Sequence, residues 1–114
     1  MEINYVMVGV TLIFILLDVC SGLVSAIANK NVDSTVMRNG LFHKLAFVFS
    51  IALGALIEWG SLYIDLGLDL PIMEAICLYI CLTEIASILE NICKLNPELE
   101  NNKFMSLFTR RNDG

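Results

Sequence analysis

Three stretches of this chain stay apolar over the length of a membrane crossing, and each is interrupted by a carboxylate. They run Val6–Ile27, Leu45–Ile64 and Ile72–Ile92, matching the roughly 20 mostly apolar residues that a spanning helix needs. Asp18 interrupts the first, Glu58 the second and Glu84 the third. An acid near the bilayer centre costs roughly 2.5–3.5 kcal/mol on insertion scales, against a gain of about 0.3–0.6 kcal/mol for each Leu, Ile, Val or Phe. Each run has enough favourable residues to insert despite its acid. Ionisable side chains inside such segments face a bundle interior or a water-filled cavity and mark functional sites. The pattern predicts an all-α integral membrane protein with three transmembrane helices that turn polar stripes away from lipid.

Turn-forming and capping residues set the boundaries. The first helix is expected from near Asn4 to about Asn29, where a polar stretch, Asn29-Lys-Asn-Val-Asp-Ser-Thr, breaks it. Asp33 or Ser34 suits the N-cap of a helix re-entered from Thr35. That places Arg38, His43 and Lys44 on its interfacial part, with the Lys44 stem along apolar surface and its ammonium at the boundary. Trp59 and Tyr63 suit the opposite interface belt. The stretch from Asp65 to Leu70 reads as a turn, Pro71 as the first position of the third helix, and Asn96-Pro97 as its end. The membrane domain then covers residues 1–97, and a polar tail covers 98–114 with one weakly amphipathic patch at Phe104, Met105, Leu107 and Phe108.

Helical spacing collects the polar residues into faces, because positions three, four or seven apart share a side. Thr11, Asp18, Gly22, Ser25 and Asn29 form one face, with Ser21 at its edge; Gly54, Glu58, Ser61 and Asp65 form a second; Cys77, Glu84, Ser87 and Asn91 form a third. Gly22 with Ala26 and Ser50 with Gly54 have the small-xxx-small spacing that lets membrane helices approach closely. Two arrangements satisfy these faces. They pack against each other inside one chain, or they meet between protomers or line water. Lys44 is the only base near the three acids, which leaves too little positive charge for neat pairing and favours a homo-oligomer.

Charge placement sets an orientation. Charged residues are 17% of the 114 residues, against about 25% in soluble domains, so no separate soluble core is expected. The net charge is −5, yet the bases cluster: Lys30, Arg38 and Lys44 beside the first connection, and Lys94, Lys103, Arg110 and Arg111 in or beside the tail. Basic loops stay cytoplasmic, which predicts the N-terminus out and the C-terminus in, with Lys30, Arg38 and Lys44 as cytoplasmic anchors. No base precedes Lys30, and the first apolar run exceeds a signal peptide's, so it is expected to remain as an anchor. Cys77 and Cys81 lie one turn apart, but a metal site needs further ligands and the single His43 belongs to the other membrane face. Cys20, Cys77, Cys81 and Cys93 read as small packing residues. No metal, cofactor, nucleic-acid partner or enzymatic activity is expected, since no nucleophile, base and oxyanion donors are brought together.

The residues also carry a resemblance. Asp18-Val-Cys-Ser-Gly-Leu-Val-Ser-Ala, Asp33-Ser-Thr-Val-Met-Arg-Asn-Gly-Leu-Phe-His-Lys44, and Glu84-Ile-Ala-Ser-Ile-Leu-Glu-Asn91 followed by Pro97 resemble, in order and spacing, the phage lysis and toxin-secretion holin family. The chain departs from that family where Ile92-Cys-Lys-Leu-Asn-Pro97 replaces a Gly-Val-Pro-x-Pro segment. The resemblance implies a multi-pass protein of the bacterial cytoplasmic membrane. It implies self-association in the bilayer into holes that release an endolysin, or a secreted toxin, for host cell lysis without direct binding to that cargo. Asp18, Ser21, Gly22, Ser25, Glu58, Ser61, Glu84, Ser87 and Asn91 would then supply the pore and oligomer faces, and Gly22, Ala26, Ser50 and Gly54 the close helix contacts. The alternative class is a small proton-coupled transporter or ion-conducting subunit using Asp18 or Glu84, although the internal repeats common in transporters are absent.

Overall fold

Asn4 and Asp33 open the first two long helices by the same device. The Asn4 side-chain carbonyl accepts from the Met7 N–H at 3.0 Å, and Asp33 Oδ1 accepts from the N–H groups of Thr35 at 2.9 Å and Val36 at 3.4 Å. Each bond satisfies donors that a helix start leaves free. In a computed structural model describing residues 4–100 and 103–108, these caps begin α1 (Tyr5–Ala28) and α2 (Ser34–Gly60). Then come α3 (Ile72–Leu95), a short 3-10 turn (Pro97–Leu99) and a single helical turn, α4 (Lys103–Ser106). Arg110 and Arg111, counted in the tail's charge, lie outside the described residues.

The connection from α1 to α2 is tight. The Asn31 N–H bonds to the Ala26 carbonyl and the Lys30 N–H to the Ile27 carbonyl, the two bonds of a Schellman ending. Its left-handed position is held by Lys30, at φ 54°, where glycine is usual. At the far end α2 stops at Gly60, so Leu62, Tyr63 and Ile64 of the second apolar run lie in turns beyond the helix. The helix begins at Ser34 behind the Asp33 cap, as expected, so Lys44 lies well inside it. Pro71 stands as the N-cap of α3 rather than its first residue, a one-residue difference. Asn96 caps the end of α3, and its side chain accepts from the Glu98 N–H at 3.2 Å.

All three long helices are apolar and long enough to cross a membrane. At 1.5 Å per residue they run about 36–40 Å, beyond the roughly 30 Å of hydrocarbon core. α3 lies in the middle, parallel to α1 and antiparallel to α2, while α1 and α2 scarcely touch. The outer surface is apolar: Ile13, Leu16, Phe49, Leu53, Leu56, Leu78 and Leu82 are all exposed. The interior holds Thr11, Asp18, Ser25, Glu58 and Glu84. Exposed apolar and buried polar side chains together suit a lipid surround.

The bundle has two unlike halves. Toward the α2–α3 connection, Ile15, Ile51, Met73, Cys77 and Ile80 form a buried apolar cluster, with Met7, Val8, Phe47, Ala55 and Ile76 packed against it. Gly54 permits that contact. A Cβ there would sit 2.9 Å from Ile76 Cδ1 and 3.4 Å from Met73 Sδ. Toward the α1–α2 connection lies a cleft with Ser25, Asn29, Lys44, Ser87 and Asn91 among mostly apolar lining. Of the tail patch, Met105 Sδ lies 3.8 Å from Cys93 Sγ, and the Phe104 and Phe108 rings meet edge-on at 5.2 Å.

The α2–α3 approach yields a prediction. Gly54→Leu adds bulk where Met73 and Ile76 already press, so it should destabilise the bundle by about 1–3 kcal/mol, the usual range for overpacking. Gly9→Ala, with nothing within 4 Å of its added Cβ, should be neutral or stabilise by up to about 1 kcal/mol through helix propensity. Unfolding in detergent checks both; equal stability of Gly54→Leu and the parent would place α2 away from α3.

Candidate functional site

Lys44 lies roughly 15 Å along α2 from Ser34, at 1.5 Å per residue, about half the thickness of a hydrocarbon core. Its ammonium donates to Glu84 Oε1 at 2.7 Å and to Asp18 Oδ2 in a still shorter ion pair. One residue from each long helix therefore meets at one point. This corrects the expectation that Lys44 extends to the membrane boundary. Two carboxylates hold the half-buried Lys44 ammonium inward, where an attraction that strengthens as the dielectric falls offsets part of the cost of leaving water. The Phe47 ring, 5.8 Å from the ammonium, adds a favourable cation–π face.

Asp18 is the best satisfied member. Oδ1 accepts from Ser87 Oγ at 2.7 Å and from Asn91 Nδ2 at 2.9 Å, while Oδ2 accepts from Lys44. The Asn91 amide also reaches Ser21 Oγ at 3.0 Å and the Asp18 backbone carbonyl at 3.2 Å. Gly22 faces this amide, and a Cβ there would meet Asn91 Nδ2 at 3.4 Å, an ordinary contact. Glu84 is fully buried, and its Oε2 has no hydrogen-bond partner among the described residues. Two acids share one base, so the charge shortfall inferred from the sequence persists in this one oxygen. It does not extend to Asp18.

Glu58 takes a different partner. Its Oε1 accepts from the Met73 N–H at 3.3 Å, in the first turn of α3, where the cap residue Pro71 makes no side-chain bond. A buried carboxylate from α2 thus serves as the cap that α3 lacks, and it sits at the positive end of the helix dipole.

The first and third polar faces read from the spacing meet inside one chain, through Asp18, Ser87 and Asn91, whereas α2 reaches them through Lys44 rather than through Gly54, Glu58, Ser61 or Asp65. Ser25 is buried, and its carbonyl accepts from Asn29 Nδ2 at 2.9 Å, which also reaches the Lys94 carbonyl at 3.4 Å. Thr11 is buried with its hydroxyl 3.4 Å from Cys81 Sγ. Ser61 caps α2 and donates to the Glu58 carbonyl at 2.8 Å. Ser50 donates to the Ala46 carbonyl of its own helix, so its contribution to packing is its small size. Ala26 is half-buried; Lys30, Arg38 and Asp65 are exposed. Among the described residues no three His, Cys, Asp or Glu side chains come together as metal ligands do.

Sequence reasoning missed Lys44 as the partner of both acids, although a signal existed. Reading the Gly54–Glu58 stripe backward by helical steps gives Ile51, Phe47 and Lys44, all on one face. Treating the second span as starting at Leu45 ended the stripe one residue short.

A buried ion cluster that loses its only base is left with uncompensated carboxylates, at a cost of about 3–5 kcal/mol. Lys44→Met should destabilise the protein by that order. The triple variant Asp18→Asn, Glu84→Gln, Lys44→Met should regain most of the loss, because neutral replacements of a buried ionic group cost little. Thermal unfolding in one detergent provides the comparison. Parent-like stability in Lys44→Met would mean the lysine is not holding the acids.

No curated protein and no solved structure matches this chain. The family model for the bacteriophage holin family matches residues 4–102, a span that includes all three long helices, the Asp18–Lys44–Glu84 cluster and the α3 ending at Asn96. With nearly its whole length covered, the chain belongs to the bacteriophage holin family.

Proposed function

We propose that this protein accumulates in the bacterial cytoplasmic membrane and self-associates into holes, releasing an endolysin or a secreted toxin without binding it. Its N-terminus lies outside and its C-terminus inside, on the strength of the basic residues around Lys30, Arg38 and the tail. Holins are not enzymes, and the chemistry of the polar cluster suits structural switching. The observation that carries the reading is the sequestered charge. Asp18, Lys44 and Glu84 close on one another between helices whose outer faces are apolar. A single chain thus keeps its polar faces hidden from lipid. Wide holes need the opposite, polar faces turned to water and apolar faces to lipid. Re-pairing the helices between protomers supplies it from the same residues, with Ser21, Ser25, Ser87 and Asn91 joining the wet surface. Packed interfaces of this kind switch between discrete arrangements.

Glu58 and Ser61 would retain their role in joining α2 to α3 through such a change. Gly22, Ala26, Ser50 and Gly54 would keep the approach distances small in both arrangements.

Inducible expression in bacteria with a co-expressed cytoplasmic endolysin tests the proposal. Growth should stop abruptly after a delay, with endolysin-sized protein escaping. Asp18→Asn, at matched membrane levels, should shift the time of lysis because it weakens the closed cluster. Collapse of the proton gradient with the endolysin retained would contradict holes and favour an ion-conducting subunit.

A further inference from the structure

Near the α1–α2 connection lies a cleft of about 710 Å³ whose walls are mostly apolar, with Ser25, Asn29, His43, Lys44, Ser87 and Asn91 among its lining. Asn31, Asp33 and Lys94 also line it, as does Asp18, so the cleft reaches the Asp18–Lys44 ion pair. We infer that this cleft is a water-filled, one-sided vestibule that brings water and small ions from the α1–α2 connection to the Asp18–Lys44 ion pair inside the membrane. The inference concerns the closed single chain and does not depend on whether the protein lyses cells.

Two occupants compete for such a space in a bilayer: an acyl chain and water. An acyl chain would lie against Lys44, whose side chain keeps 18% of its surface accessible and whose ammonium has two carboxylate acceptors for three N–H donors. Polar groups facing hydrocarbon without partners are costly. Water gives the third donor and the His43 ring their partners, while Ser87 and Asn91 already bond Asp18 and Asn29 the Ser25 carbonyl. The volume also suffices, with room for on the order of 20 waters at about 30 Å³ each. Glu84 is fully buried behind the ion pair, and Ile15, Ile51, Met73, Cys77 and Ile80 close the bundle beyond it. Solvent therefore reaches about halfway through the membrane and stops at the apolar cluster. The consequence is functional: ions and protons in water reach the group that holds the helices together before any helix moves.

Water-to-protein magnetisation transfer in lipid bilayers tests this on the unmodified chain, at a protein density where crosslinking finds single protomers. Transfer to Ser25, Gly40 and Ser87 should be several-fold faster than to Ile51, Cys77 and Ile80. A Gly40→Phe variant, with nothing within 4 Å of the added Cβ, should fill the cleft and slow transfer to Ser87. Transfer to the cleft as slow as to the apolar cluster, with strong transfer from acyl chains instead, would overturn the inference in favour of lipid. Fast transfer to Cys77 and Ile80 would overturn its one-sidedness.

Discussion

One lysine between two acids ties this bundle together. α1 and α2 touch very little directly, and α3 packs on both. The Lys44 ammonium is the group that joins all three, through Asp18 of α1 and Glu84 of α3. Desolvating three charged groups is expensive. The mutual attraction offsets that cost only if the geometry is good and the remaining polar atoms are bonded. Asp18 meets the condition through Ser87 and Asn91. Glu84 does not, because Oε2 is without a partner among the described residues. The cluster is therefore a strong joint with one weak member, located where the apolar half of the bundle gives way to the polar half.

The division of the bundle follows from the same joint. On one side, Gly54 lets α2 lie against Met73 and Ile76, and Glu58 caps α3, so that half is dry and closely packed. On the other, beside the short Schellman connection, a cleft reaches the Asp18–Lys44 pair. On the proposed function the chain stays closed until it opens and then presents polar surface. The closely packed half, the cleft that reaches the joint, and the carboxylate oxygen without a partner among the described residues suit both requirements.

Much of this was legible in the residues. The three spans follow from apolar runs that no soluble domain of this composition would carry. The caps at Asn4 and Asp33 follow from side chains that bond helix-start donors, and the polar faces follow from the 3.6-residue repeat. Glu84, Ser87 and Asn91 on one face of α3, and Asp18 with Gly22 on α1, could be grouped before any coordinates. The role of Lys44 was missed because it stands just before the second apolar run and reads as an interfacial lysine, although the Asp33 cap already puts it inside α2. The bond from Met73 N–H to Glu58 was not legible at all, since it depends on how α2 and α3 meet across a connection of irregular turns.

The most direct measurement is the distance between the Lys44 ammonium and the Asp18 carboxyl group in a bilayer. Solid-state magnetic resonance with isotope-labelled lysine Nζ nitrogen and aspartate carboxyl carbon isolates this contact, because among the described residues Lys44 is the lysine paired with an aspartate, while Lys94 pairs with Glu90. Strong dipolar coupling between one lysine and one aspartate, lost in Asp18→Asn, is the expected result. Lysine signals with no aspartate coupling, all exchanging with bulk water at the membrane surface, would contradict a bundle held together from its interior.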